Sequence, residues 1–402
     1  IEIKLLPEKK KLKIYLKLIR NTPEARLSFT HKLFQVYVRG FILPRAVEAG
    51  NFGPENVRFV EFIEDRNGGA QDGFCASNIL FGNVIMENRN KDRTSQSVVI
   101  KVRGVIVSRF NWSSALQFYN ELFFYSNIVP FLRRFDDGHI LDKYFPKFFY
   151  GVATLQEDES SDILILENLQ RNGFKLAPSR TFLDYEYIKL SLRGLARFHS
   201  LSLIATAKDP VGWKKILSEI RETKWDHKYA NKLPIESLAV LCHGDFCRNN
   251  MFFQHNTEGV PIYVKFFDLG TIRHSSPVID LSFYLFMHTS PEMRSSKWDE
   301  LIALYTDVLE SELRLKILSL RQKPILISCN ILRRRGDFWT FGFLNRKYEG
   351  KYYFFILNII INMGIVKNPS PSLPHQNGTK NTCSDRFKNS KLDVQVRNKR
   401  FL

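Results

Sequence analysis

The sequence predicts an α+β chain of two lobes: a small, mainly antiparallel sheet with one helix, then a larger, mainly helical lobe that carries a further hairpin. Three observations support this. Residues 79–87 and 97–107 are β-branched and apolar around a polar loop, and 148–155 and 162–169 flank an acidic turn, so two hairpins form the sheet. Residues 181–205 repeat apolar side chains at spacings of three and four, as a long core helix does. Residues 239–274 interrupt the helical pattern with two short apolar strands on either side of a turn around Gly259.

The remaining elements follow in order. Alternating Val57, Phe59, Val60 and Phe62 form a first strand, and the punctuation Gly50-Asn51-Phe52-Gly53-Pro54 sets a domain start near residue 51. Trp112, Leu116, Tyr119, Phe123 and Ile128 place a helix over 111–131, with Glu121 on it. Residues 298–318 are helix-like, and 352–366 form an apolar run of 15 residues. That run is shorter than the roughly 20 residues a membrane span needs, so it is expected as a packing helix. Four segments result: a basic extension over 1–50, a small lobe over 51–165, a large lobe over 166–366 and a basic, disordered tail over 367–402.

Composition narrows the function classes. With 402 residues, 44% hydrophobic and 25% charged, the chain is ordinary globular material. The net charge of +18 suggests a polyanion partner until it is located. Residues 1–32 carry nine Lys/Arg against three Glu and 367–402 carry eight against two Asp, which leaves the body at only +6. Solvated basic ends are therefore expected, with no specific nucleic-acid partner and no transmembrane segment. Five cysteines without a C-x-x-C pair argue against a disulfide scaffold and a structural zinc, and for a cytoplasmic protein. No signal peptide is evident, which weighs little in a chain that opens at Ile1 rather than Met.

The sharpest motif is His243-Gly244-Asp245-Phe246-Cys247-Arg248-Asn249-Asn250, with Asp268 following the strand VKFF. An Asp, an Asn five residues on and a second Asp beyond a hairpin reproduce the spacing of the eukaryotic kinase signature. One carboxylate aims at an attacking hydroxyl, while the amide and the second carboxylate offer hard oxygens to Mg²⁺ beside nucleotide phosphates. Alone, these residues could be turn formers and caps. Upstream, in kinase order, stand a glycine-bearing loop (Gly68, Gly69, Gly73), Lys101 in an apolar strand, Glu121 on the next helix and Glu167-Asn168-Leu169 at the change of lobe. A lysine in an apolar strand requires a partner, and Glu121 is the candidate.

The blocks VVIKVRG, LILENLQRNGF, LARFHSLS, VLCHGDFCRNNMFF and VKFFDLGT…SPVIDLSFYLF resemble the ecdysteroid-kinase-like family, whose CHK kinase-like domain is related to choline and aminoglycoside phosphotransferases. The resemblance covers roughly residues 50–320. It implies a two-lobed protein-kinase-like fold and ATP with Mg²⁺ as cofactors. It also implies phosphoryl transfer to an alcohol group of a small organic acceptor, such as an ecdysteroid or a hydroxylated xenobiotic. Residue by residue, it implies that Asp245 is the catalytic base, Asn250 and Asp268 bind Mg²⁺, and Lys101, held by Glu121, touches the phosphates. Glu167, Asn168 and Leu169 would meet adenine through their backbone, and the loop containing Gly73 would cover the phosphates. Asp280 would accept backbone hydrogen bonds from the His-Gly-Asp loop, and His199 would be a core histidine.

Three departures stand out: the loop from Gly68 lacks the G-x-G-x-x-G spacing, residues 17–45 faintly resemble the lysine-strand and helix segment again ahead of the domain, and residues beyond about 325 match nothing in the family. Gly244 in place of the arginine of the H-R-D triplet, and the lack of an A-P-E segment, argue against a protein substrate. The rival classes are an ATP-binding pseudokinase or scaffold and a polyanion binder using the basic ends. The expected partners are ATP and a small hydroxylated molecule, with a monomer as the expected state.

Overall fold

The computed structural model describes residues 37–65, 77–103, 111–153, 162–223 and 239–317. The expectations for 352–366, for the tail over 367–402 and for the loop containing Gly73 lie outside the described residues.

Five strands form one antiparallel sheet: β1 (Asn56–Glu64), β2 (Ser77–Asn88), β3 (Arg93–Arg103), β4 (Phe148–Val152) and β5 (Ile163–Glu167), in the order β1-β2-β3-β5-β4. The β2–β3 register sets Lys101 opposite Ile79, and the β3–β5 register sets it opposite Leu164. Because side chains alternate along a strand, Val98, Ile100 and Val102 point to the face opposite Lys101. All three are buried there, in a core shared with Leu80, Val84, Ile163 and Ile165.

That core reaches back ahead of the domain start expected near residue 51. A π turn (Val38–Ile42) leads into α1 (Leu43–Glu48), and Val38, Ile42, Leu43, Ala46 and Val47 are buried in the same cluster as the sheet residues. The segment expected as a basic extension to residue 50 thus supplies the cover for one sheet face from Val38 onward. A stacked pair, Phe52 on Phe149 at 4.6 Å, continues the contact.

The helix carrying Glu121 begins as α2 (Asn111–Phe123), passes through a π turn (Phe124–Ile128) and continues as α3 (Val129–Arg133). Pro130 does not stop it. The proline falls at the start of α3, directly after the π turn, where the regular i→i−4 ladder is already interrupted. A short α4 (Ile140–Tyr144) precedes β4.

The helical part is organised by α5 (Tyr185–Lys208), longer than the predicted 181–205 at its C-terminus and shorter at its start. Its buried residues recur at helical spacing, Ile188, Leu192, Leu195, His199 and Leu203 among them. It packs against α8 (Pro291–Ile317), and α6 (Pro210–Ser218) and α7 (Val278–His288) complete the described helices. The region expected to hold one hairpin contains two ribbons, β6 (Val240–Cys242) with β9 (Arg273–Ser275) and β7 (Met251–His255) with β8 (Pro261–Phe266). No helix among the described residues is long and apolar enough to cross a membrane.

Candidate active site

The short, fully buried β6 pairs with β9, so the His-Gly-Asp loop that leaves it lies beside the turn that enters β9. Gly244 makes that approach possible. Its φ is +85°, and a Cβ built there would stand 2.0 Å from the Thr271 carbonyl oxygen. Only a residue without a side chain fits both conditions. His243 closes the contact by donating from Nε2 to the Phe267 carbonyl at 3.0 Å.

Phe246 anchors the far side of the loop. It is fully buried, with ring centroids 5.0 Å from both Phe266 on β8 and Tyr284 on α7. Asp280, in the first turn of α7, holds the near side: its carboxylate accepts the His243 amide at 2.7 Å and the Gly244 amide at 2.9 Å. His199 on α5 donates to the same carboxylate at 3.1 Å, and its other ring nitrogen meets the Tyr305 hydroxyl at 2.8 Å. Burial pushes the Asp280 carboxyl up, yet the hydrogen bond and charge of His199, the charge of His243 and the Gly244 amide outweigh it and hold the group below the usual carboxylate range. His199 is a buried, hydrogen-bonded core histidine.

Within the loop, Asn250 ends the 3-10 turn Arg248–Asn250 and donates from Nδ2 to the Asp245 carbonyl at 2.9 Å and to its carboxylate at 3.0 Å. With its amide nitrogen so engaged, the Asn250 side chain has its oxygen left to offer a cation. Asp268 caps the turn Leu269–Thr271 with φ +66°, a left-handed conformation that a non-glycine residue rarely adopts and that is often found at working sites. Its side chain is 54% exposed, and its carboxylate lies 3.6 Å from Lys101 Nζ.

Lys101 bonds Glu121 at 2.7 Å, both side chains largely buried. Burial dominates the Glu121 carboxyl and raises its pKa, with Lys101 pulling the other way. Asp245 is raised as well, first by burial and then by the charge of Asp268, against the pull of His243 and Asn250. The donor set is therefore a group of hard oxygens with two carboxylates whose charges oppose each other, which a divalent cation would relieve; these residues fit Mg²⁺.

The expected adenine segment is partly committed to the fold. The Glu167 amide donates to the Lys147 carbonyl at 2.8 Å, the Asn168 amide to Ser97 at 3.2 Å, and the Leu169 carbonyl accepts from Phe174 at 3.1 Å. The Glu167 carboxylate is tied to the Lys147 amide, Asn172 and Lys265.

Sequence reasoning missed Asn120. It is fully buried, donates to the Arg221 carbonyl at 2.8 Å and the Gly270 carbonyl at 3.2 Å, and accepts the Arg221 amide at 2.9 Å. It thereby joins the Glu121 helix to the turn that bears Asp268. The only signal was a polar side chain on an apolar helix, next to the expected partner of Lys101.

A Lys–Glu pair between an antiparallel sheet and its helix, facing an Asp…Asn loop and a second Asp after a ribbon, is the arrangement of a kinase-like fold. The family model described as the ecdysteroid kinase-like family matches residues 72–233 and 227–317, and the chain belongs to that family. One similar solved structure is the microcompartment-associated aminopropanol kinase, at 11% identity and a TM-score of 0.34, covering 72% of this chain and 91% of that one. No curated protein matches the sequence.

Proposed function

We propose that the protein is a small-molecule kinase that transfers the γ-phosphate of Mg·ATP to a hydroxyl of a small organic acceptor. The observation that carries this reading is the approach of three chain segments: Lys101 on β3 meets both Glu121 on α2 and Asp268 beyond β8. Family membership supports it.

Asp245 would accept the hydrogen bond, and then the proton, of the attacking hydroxyl; its raised pKa suits a group that takes up a proton during the step. The Asn250 amide would hold that carboxylate in its rotamer while presenting its own oxygen, with Asp268, to Mg²⁺. When bound, the metal supplies neutralisation of the charge that builds on the transferring phosphoryl. Lys101, aimed by Glu121, would steady the phosphates. The Leu169 amide, at the head of a 3-10 turn where intrahelical acceptors are missing, is the donor we assign to the adenine edge.

The acceptor class we take from the family is a hydroxylated steroid such as an ecdysteroid, or a hydroxylated xenobiotic. The test is ATP turnover by purified protein across ecdysteroid, phenol, choline and aminoglycoside panels. Phosphorylation of a steroid or phenol is expected. Thermal stabilisation by Mg·ATP with no transfer to any acceptor would replace this reading with nucleotide binding alone.

A further inference from the structure

Arg248, three residues after Asp245 in the same loop, has no part in the proposed phosphoryl transfer. Its backbone is fixed: the Arg248 amide donates to His288 Nε2 at 3.0 Å, at the end of α7. Its side chain turns to another element, with Nη1 donating to the Arg180 carbonyl at 3.0 Å. No carboxylate pairs with Arg248 among the described residues, and its Nε is a buried donor without an acceptor. Leaving a guanidinium donor unmet costs free energy that an oxyanion would recover, and the planar fork suits carboxylate, sulfate or phosphate.

The surroundings add apolar surface. The Leu183 amide bonds the His288 carbonyl at 2.8 Å, which brings together the chain segments containing Phe182 and Met287, side chains that are 41% and 47% exposed. Lys101 and Glu121 belong to other elements, β3 and α2.

We infer that Arg248 forms an anion-recognition site for the acceptor, so that the preferred substrates are hydroxylated organic molecules carrying a carboxylate, sulfate or phosphate group apart from the reacting hydroxyl. This rests on the phosphotransferase reading and names the substrate class of the same site. A phosphate of the nucleotide is the other source of an oxyanion, and the experiment separates the two.

The kinetic arm compares full-length wild type, Arg248→Gln and Arg248→Lys on paired acceptors, a hydroxysteroid and its mono-sulfate or hemisuccinate with one hydroxyl free. Wild type is expected to favour the anionic member, and Arg248→Gln to lower the anionic-to-neutral ratio of kcat/KM by about tenfold, the loss of one charged hydrogen bond. Arg248→Lys should recover part of the ratio. An unchanged ratio, or a loss that falls on KM for ATP instead, overturns the inference. The binding arm needs no turnover: sodium sulfate, against sodium chloride at equal ionic strength, should raise the unfolding midpoint of wild type more than that of Arg248→Gln. Equal rises overturn the anion site. Failure of every acceptor in the kinetic arm would strike the phosphotransferase reading, while the sulfate arm still decides the site.

Discussion

An unpaired ammonium in an apolar strand is costly, and the distance of 2.7 Å from Lys101 to Glu121 shows how this chain meets that cost. The pairing was legible because a lysine in VVIKV requires a partner and Glu121 stood on the next helix. Lys101→Met should leave the fold intact, since Glu121, already raised by burial, can take up a proton. It should lower kcat/KM by about 10²-fold or more in steady-state assays. Gly244 carries a second prediction. With a φ of +85° and the Thr271 carbonyl in the way, Gly244→Ala should destabilise the protein by about 1–3 kcal/mol in denaturant titrations and abolish most turnover. Asn120 was the less legible residue, because its partner lies 101 positions away and no local spacing announces a long-range hydrogen bond; His199 was legible as a core histidine, but its bond to Asp280, 81 positions on, was not.

At the scale of elements, α7 depends on such bonds: its Asp280 ties the catalytic loop to α5. The folded carboxyl is held below its unfolded value, so its stabilising contribution is present above the ordinary aspartate pKa of about 3.9 and is lost as pH falls through the lower, folded value. Asp280→Asn would present amide hydrogens to donors and should cost about 3 kcal/mol at neutral pH. That deficit should narrow in urea titrations taken down through the acid range, where the wild type loses the same charge; a deficit independent of pH would contradict the assignment. Strands were legible from β-branching and α5 from its period. The π turn before α3 was not, because the same apolar spacing serves an unbroken helix.

Across the whole molecule, the two-lobed fold class was legible in the sequence, while the packed core reaches back to Val38, ahead of the start expected near residue 51. Gly40, Pro44 and two arginines break up the segment that covers the sheet, so composition marked it as part of a basic arm while packing made it core. Deleting residues 1–50 removes five buried apolar side chains, each worth about 1.5–3 kcal/mol when large, and should yield insoluble or unfolded protein. Ligand linkage supplies a further global test: Mg·ATP at 100 times its Kd should stabilise the protein by about 2.7 kcal/mol, and chelation of the metal should remove most of that gain.

Phosphoryl transfer is tested most directly by comparing wild type with Asp245→Asn, measuring γ-phosphate transfer to an acceptor and nucleotide affinity on the same preparations. Transfer should fall by about 10²–10⁴-fold while affinity for ATP stays within about tenfold. Transfer at the wild-type rate by Asp245→Asn would contradict the proposed role of Asp245.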